Sequence, residues 1–227
     1  MIVGLGNPGD EHAGTRHNVG FMVAEALVER WGLGRMKKRF RGRIVEGRVG
    51  GRAGFGSHLG EPGSESSGPI SDGAVAGSAT RETVRPAGTR VAVLCPQTYM
   101  NEAGRSVGPA RGAFKLTLER VLVVHDEIDL PFGEVRTQTG GGLAGHNGLK
   151  SIKRELGGAE FSRVRVGVGR PSSTDPEIVS AYVLGRFRED RARVQELLER
   201  ACDHVEAFVL GETAPSGANR TPGKDAS

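Results

Sequence analysis

A three-layer α/β domain is what this sequence predicts, and three observations lead to it. Short apolar, β-branched runs alternate with segments whose apolar residues recur at helical spacing, the order that stacks helices on both faces of a sheet. The strand-like runs end in polar loops: Gly4-Leu5-Gly6-Asn7-Pro8-Gly9 leading to Thr15-Arg16-His17-Asn18, then Pro96-Gln97-Thr98-Tyr99-Met100-Asn101, then His125-Asp126-Glu127 leading through Gly140-Gly141-Gly142 to His146-Asn147-Gly148. Loops distant in sequence that gather at strand ends are how such a domain assembles a site. Finally, 227 residues are enough to bury the core of one domain with appendages.

In chain order, residues 2–5 form a short apolar strand, and Val19, Met22, Val23, Ala26 and Leu27 then recur at helical spacing up to Trp31. Residues 43–49 and 89–94 are two further strands. Between them, residues 52–88 are rich in Gly, Ser, Pro and Glu and poor in large apolar residues, so burial there cannot offset the entropy of ordering. They are expected to be a disordered excursion from a hairpin. Val107, Ala110 and Phe114 fit a helix, residues 121–124 a buried strand, and 134–138 another short strand. Leu149, Ile152 and Leu156 share one face of a helix that starts at the glycine-rich loop. In Arg163-Val164-Arg165-Val166-Gly167-Val168 the period of two sends arginines to one face and valines to the other, predicting a strand with one solvated side. Val194, Leu197, Leu198, Ala201, Val205 and Phe208 make a last amphipathic helix that stops at Gly211, so the domain spans 1–211 and 212–227 is a flexible tail.

Composition narrows the function classes. Cys95 and Cys202 are far apart and lack the spacing of a metal or redox motif, so they are expected to be buried, reduced thiols. The chain opens on Ile2-Val3 without a basic region or a long apolar stretch, and no later run reaches membrane-spanning length. A soluble, cytoplasmic protein is the expectation. A formal net charge of +4 and a pI near 9.4 permit a polyanionic partner without requiring one.

The polar loops supply a histidine, a carboxylate and several amides, with no serine or cysteine nucleophile motif and no metal-ligand spacing, so neither a metal nor a cofactor is expected. Asp126 closes the most buried strand, and a carboxylate that accepts from one imidazole nitrogen of His17 leaves the other basic near neutral pH. Asn7, Asn101 and Asn147 can serve turns, or converge to hold a carbonyl and stabilise an oxyanion. Gly4-Leu5-Gly6-Asn7-Pro8-Gly9 formally matches the dinucleotide fingerprint. Its turn does not open directly into a helix, however, and helical periodicity starts only near Asn18, which disfavours a nicotinamide enzyme. The triple glycine is compatible with a phosphate nest or with a plain hairpin or hinge. A water-activating hydrolase is the reading this constellation supports.

The segments GLGNPG with TRHNVGF, PQTYMNEAG, HDEIDLPFGEVR, GGGLAGHNGLKSI and FSRVRVGVGRP resemble, in order and spacing, those of the bacterial-type peptidyl-tRNA hydrolases, over residues 2 to about 187 apart from 52–88. The resemblance implies a monomeric, cofactor-free domain with a mixed twisted sheet flanked by helices, which cleaves the ester between a peptide and the 3′ ribose of tRNA. It implies His17 as the base that activates water, Asp126 as its orienting partner, and Asn7 and Asn101 as the amides that position peptide and scissile carbonyl. Asn147 would hold substrate and water, and Met100 would pack the cleft floor. His12 stands where the family commonly has a tyrosine near the bound substrate, which predicts altered affinity. Leu143-Ala144 and Gln138 depart from smaller or more polar and from basic residues respectively. Candidate phosphate contacts are Arg136, Lys150, Lys153, Arg154 and Arg165, with a structural ion pair as the alternative for Arg165. The competing reading is an RNA-binding module of this fold without catalysis, which the intact His17 and Asp126 disfavour.

Overall fold

The structure, a computed structural model, describes residues 1–50 and 88–212. Its strands are β1 (Ile2–Gly4), β2 (Lys37–Arg39), β3 (Gly42–Val49), β4 (Thr89–Pro96), β5 (Leu122–Glu127), β6 (Val135–Thr139) and β7 (Ser162–Gly167). They form a single sheet in the order β2-β3-β4-β1-β5-β7-β6. The central strands β4, β1, β5 and β7 run parallel, while β2 and β3 on one side and β6 on the other pair antiparallel. The helices are α1 (Val19–Arg30), α2 (Gly104–Ala113), α3 (Asn147–Leu156), α4 (Pro176–Leu184) and α5 (Arg191–Leu210).

The alternation of side chains along each strand divides the core into two layers. Ile2, Val93, Val124 and Val164 pack with α1 and α5, whereas Val3, Leu94 and Val123 pack with α2 and α3. This is the expected three-layer α/β domain with a mixed sheet. Among the described residues, no helix is long and apolar enough to cross a membrane. Cys95 and Cys202 are buried and free, and burial pushes both thiols up to about 12.

The predicted hairpin is present: β3 and β4 pair from Gly42↔Pro96 to Val49↔Thr89. Nearly all of the predicted excursion at 52–88, and the tail after residue 212, lie outside the described residues. The last helix ends at Gly211, whose φ of 73° is the left-handed cap that glycine adopts without penalty. Two elements go beyond the sequence reading. Strand β2 is Lys37-Lys38-Arg39, without an apolar residue to signal a strand. Helix α4 carries a start signal that could have been found: Asp175 caps it by accepting from Glu177 N at 2.8 Å, and Pro176 occupies the first turn.

The arginine face of β7 corrects an expectation. It is largely covered: Arg163 is only 1 % exposed and donates to the carbonyls of Gly140 and Gly142, while the partly buried Arg165 reaches Glu127 at 3.0 Å and Gln138 at 3.0 Å. Alternation places side chains on a face, but whether solvent meets that face depends on what folds over it. Here the loop after β6 does so. Its carbonyls converge on a guanidinium and the Gly140 N–H is occupied by Phe161 O, so the triple glycine is a connection clamped to β7.

Close packing of α1 on β1 sets the stage for the site. A Cβ on Gly20 would overlap the backbone of Leu5 and Val124, and one on Gly4 would overlap Gly20 O. Without side chains there, Leu5 N donates to Val124 O at 3.0 Å and Phe21 N to Leu5 O at 3.1 Å, which fixes the start of α1 beside the carboxyl end of β5.

Candidate active site

The carboxyl ends of β1, β4 and β5 open into a cleft of about 650 Å³ whose lining includes Asn7, His17, Met100, Asn101, Asp126 and Asn147. A larger groove of about 1120 Å³ lies beside α1 and β2 and holds none of these residues. Size does not mark the chemistry here; the convergence of polar groups does.

Asp126 is 4 % exposed at the end of β5, and its Oδ1 takes two imidazoles: His17 Nδ1 at 2.9 Å and His146 Nε2 at 3.0 Å. Burial presses the carboxyl upward, but the two imidazoles and their hydrogen bonds outweigh it, so its pKa lies below the usual carboxylate range. For His17, burial works against the cation, yet the Asp126 charge and hydrogen bond prevail and the pKa is raised from the ordinary histidine value. With Nδ1–H donated to the carboxylate, the Nε2 lone pair of His17 is left to act as a base.

His146 is the residue that sequence reasoning missed in this role, although it sits in a quoted motif. Its Nδ1 accepts from Gly148 N at 3.1 Å and Leu149 N at 3.4 Å, so the ring caps α3. Nδ1 is therefore unprotonated, and Nε2–H is the donor to Asp126. The tautomer follows from these partners alone. His125 packs edge-on to His146 at 5.0 Å, and burial holds its pKa down at about 3, so this ring stays neutral.

His17, Asp126 and His146 are also the described residues whose ligand atoms gather closely enough to hold a metal ion. The cap argues against that use. A ligating histidine ordinarily donates its other ring N–H, whereas the other nitrogen of His146 accepts from the backbone.

Asn7 is held by a clasp that depends on a neighbour the sequence reading did not single out. Asn7 N donates to Asn18 Oδ1 and Asn18 Nδ2 to Asn7 O, both at 2.9 Å. Asn7 Oδ1 in turn accepts Met100 N at 2.8 Å, which leaves its amide N–H₂ without a protein partner among the described residues. Asn101 and Asn147 are exposed on the cleft, their side-chain amides likewise unpartnered among the described residues. Met100 is 5 % exposed at the cleft floor against Gly148. Opposite stands an apolar wall from α4, formed by Val179, Val183 and Leu184.

Arg16, next to the base, is buried and ties α4 to this turn. It donates to Arg186 O at 2.7 Å and stacks 4.3 Å from the Tyr182 ring. His12 is not brought into the cleft: it lies in the turn Asp10–His12, where its carbonyl accepts the Thr15 hydroxyl at 2.8 Å. Lys150, Lys153 and Arg154 are exposed along α3, and Arg136 is exposed on β6 but paired with Glu134. Arg165 is committed to the buried Glu127, the ion-pair alternative.

Replacing His146 with alanine should cost about 1 kcal/mol of stability through the lost helix cap. The melting midpoint then falls by roughly 2–4 °C for a domain of this size. Calorimetry on the two proteins checks this, and an unchanged midpoint would mean that α3 does not depend on the imidazole.

The profile of the family described as Peptidyl-tRNA hydrolase matches residues 1–59 and 69–225. The match thus runs past residue 187, with residues 60–68 the one internal stretch outside it. The chain is 39% identical over 213 residues to the peptidyl-tRNA hydrolase of Afipia carboxidovorans, covering 93% of this chain and 86% of that protein. It is 39% identical over 212 residues to that of Mycobacterium avium, covering 92% and 90%. The crystal structure of peptidyl-tRNA hydrolase from Acinetobacter baumannii superposes with a TM-score of 0.68 at 35% identity, covering 92% of this chain and 88% of that one.

Proposed function

This chain belongs to the peptidyl-tRNA hydrolase family and is an esterase of that kind, and on this premise we propose how its residues perform the hydrolysis. The observation that carries the proposal is the 2.9 Å bond between His17 and the buried Asp126 at a cleft edged by amides that have no partner among the described residues. The scissile bond is the ester between a peptide's C-terminal carbonyl and the 3′ oxygen of the tRNA ribose. His17 Nε2 takes a proton from a water molecule as its oxygen attacks that carbonyl. Asp126 stabilises the imidazolium that forms and keeps the ring in place. The N–H₂ groups of Asn7 and Asn101 stabilise the tetrahedral oxyanion, a role that needs donors fixed in advance. Asn7 is fixed by Asn18 and Met100.

Collapse of the intermediate expels the ribose oxygen, which recovers the proton from His17. The products are a peptide acid and a free tRNA, with no covalent enzyme intermediate. Asn147 holds the substrate beside the base. Side-chain amides read the peptide backbone irrespective of its side chains, which suits an enzyme that recycles many stranded peptidyl-tRNAs in the cytoplasm, acting as a monomer without a cofactor. Lys150, Lys153 and Arg154 are the exposed cations that support phosphate binding beside the cleft, and Arg136 can join them by leaving Glu134.

The test is release of the acyl group from an N-acetyl-aminoacyl-tRNA compared with the same tRNA bearing a free amino group. Rapid cleavage of the blocked substrate alone is expected. Tight tRNA binding without turnover of either would favour the non-catalytic binding module instead.

A further inference from the structure

At the sheet edge formed by β2, the segment 35–41 reads Arg-Met-Lys-Lys-Arg-Phe-Arg, and Arg35, Lys37, Lys38, Arg39 and Arg41 are all exposed. Among the described residues, the side chains of Arg35, Lys37, Lys38 and Arg41 form no ion pair, while Arg39 lies 3.9 Å from Glu46 and stacks 4.3 Å from the Phe40 ring. The neighbouring groove also carries Glu25, which Arg43 neutralises at 2.7 Å, and Glu29.

The turn that presents these charges is unusual. Phe40 and Arg41 are the two central residues of the β2–β3 hairpin, and both have positive φ, 54° and 50°. That is the type I′ geometry, which asparagine and glycine adopt at far less cost than a phenylalanine and an arginine. The tip is pinned where it stands, because Arg41 O accepts Gln97 N at 2.8 Å, and Gln97 begins the loop that carries Met100 and Asn101. A strained turn that carries uncompensated charge and is anchored to the active-site loop needs a reason beyond folding.

We propose that the β2–β3 hairpin is a binding surface for the phosphodiester backbone of tRNA, on the side of the cleft opposite α3. The proposal rests on the hydrolase reading for its choice of RNA. Residues two apart on a strand, such as Lys37 and Arg39, are about 6.7 Å apart. Same-face cations at that spacing form a row that a polyanionic backbone can follow. The surface contacts the body of the tRNA and leaves the ester and the acceptor end to the cleft.

The experiment uses the full chain with Arg35→Gln, Lys37→Gln, Lys38→Gln and Arg41→Gln combined, substitutions that break no side-chain bond among the described residues. Binding of uncharged tRNA is measured across a salt series, beside cleavage of a short N-blocked aminoacyl oligonucleotide ending in CCA. The expected result is tRNA affinity about 10-fold lower with a shallower salt slope, as phosphates are no longer neutralised, while the short substrate is cleaved at the wild-type rate. Unchanged affinity and slope would overturn the proposal, including the case where the variant self-associates because its edge strand has lost protective charge. An equal loss on the short substrate would overturn it as well, as would loss of binding to anionic lipid vesicles with tRNA binding intact. Since uncharged tRNA is the probe, the result is independent of whether the wild-type protein turns over, which is what decides the catalytic reading.

Discussion

His17→Ala lowers turnover of a blocked aminoacyl-tRNA by roughly 10²–10⁴-fold, the usual worth of a general base, and leaves tRNA affinity within a few-fold of wild type. The separation follows from placement. His17 is half-buried at the cleft with one nitrogen donated to Asp126; in the proposed mechanism its other nitrogen meets the reacting water and takes no part in phosphate binding. The pH dependence adds a second readout. The base is active when neutral, and its pKa is raised from the ordinary value, so the rate falls with acidification from above about 6.5. A variant that keeps most of the activity would remove His17 from the mechanism.

Asp126→Asn lowers kcat by about 10²-fold or more with KM little changed. Both imidazoles donate to the same oxygen, Oδ1, and an asparagine oxygen in that place can accept both, so the change removes charge while keeping shape. Without the carboxylate, burial is left as the main influence on His17, and burial lowers a histidine pKa. The acid limb of the pH–rate profile therefore shifts to lower pH than in the wild type, below about 6.5. A limb that stays put would show that Asp126 orients the ring without supporting its charge. Acid also removes the stability that this carboxylate contributes. The carboxyl pKa of Asp126 is depressed in the folded state, so its stabilising contribution is present above the unfolded carboxylate pKa of about 3.9 and is lost as pH falls below it.

Much of this protein was legible in its sequence because the signals involved are local. The β-branched run at 121–124, the period-two run at 163–168 and the helical spacing at 149–156 are enforced by the backbone within a few residues, and they correspond to β5, β7 and α3. Strand ends and turns were legible for the same reason, which made His17, Asp126, Asn7 and Asn101 candidates, while the roles expected of them came from the resemblance. Strand β2 was not, since three cations carry no apolar period and its strand state depends on pairing with β3.

What only the tertiary structure decided is which group each side chain meets. Asp126 meets His17, 109 positions away, and Arg16 meets the backbone of Arg186, 170 positions away. The protonated nitrogen of His146 is set by the start of α3 on one side and Asp126 on the other. Arg163 and Arg165 follow the alternation of their strand, yet what covers or pairs them is the loop after β6 and Glu127 on β5. Backbone periodicity is a property of neighbouring residues and survives in the bare sequence. Burial, tautomer and charge state are properties of partners, and the partners arrive only when the order of strands in the sheet brings distant segments within hydrogen-bond reach.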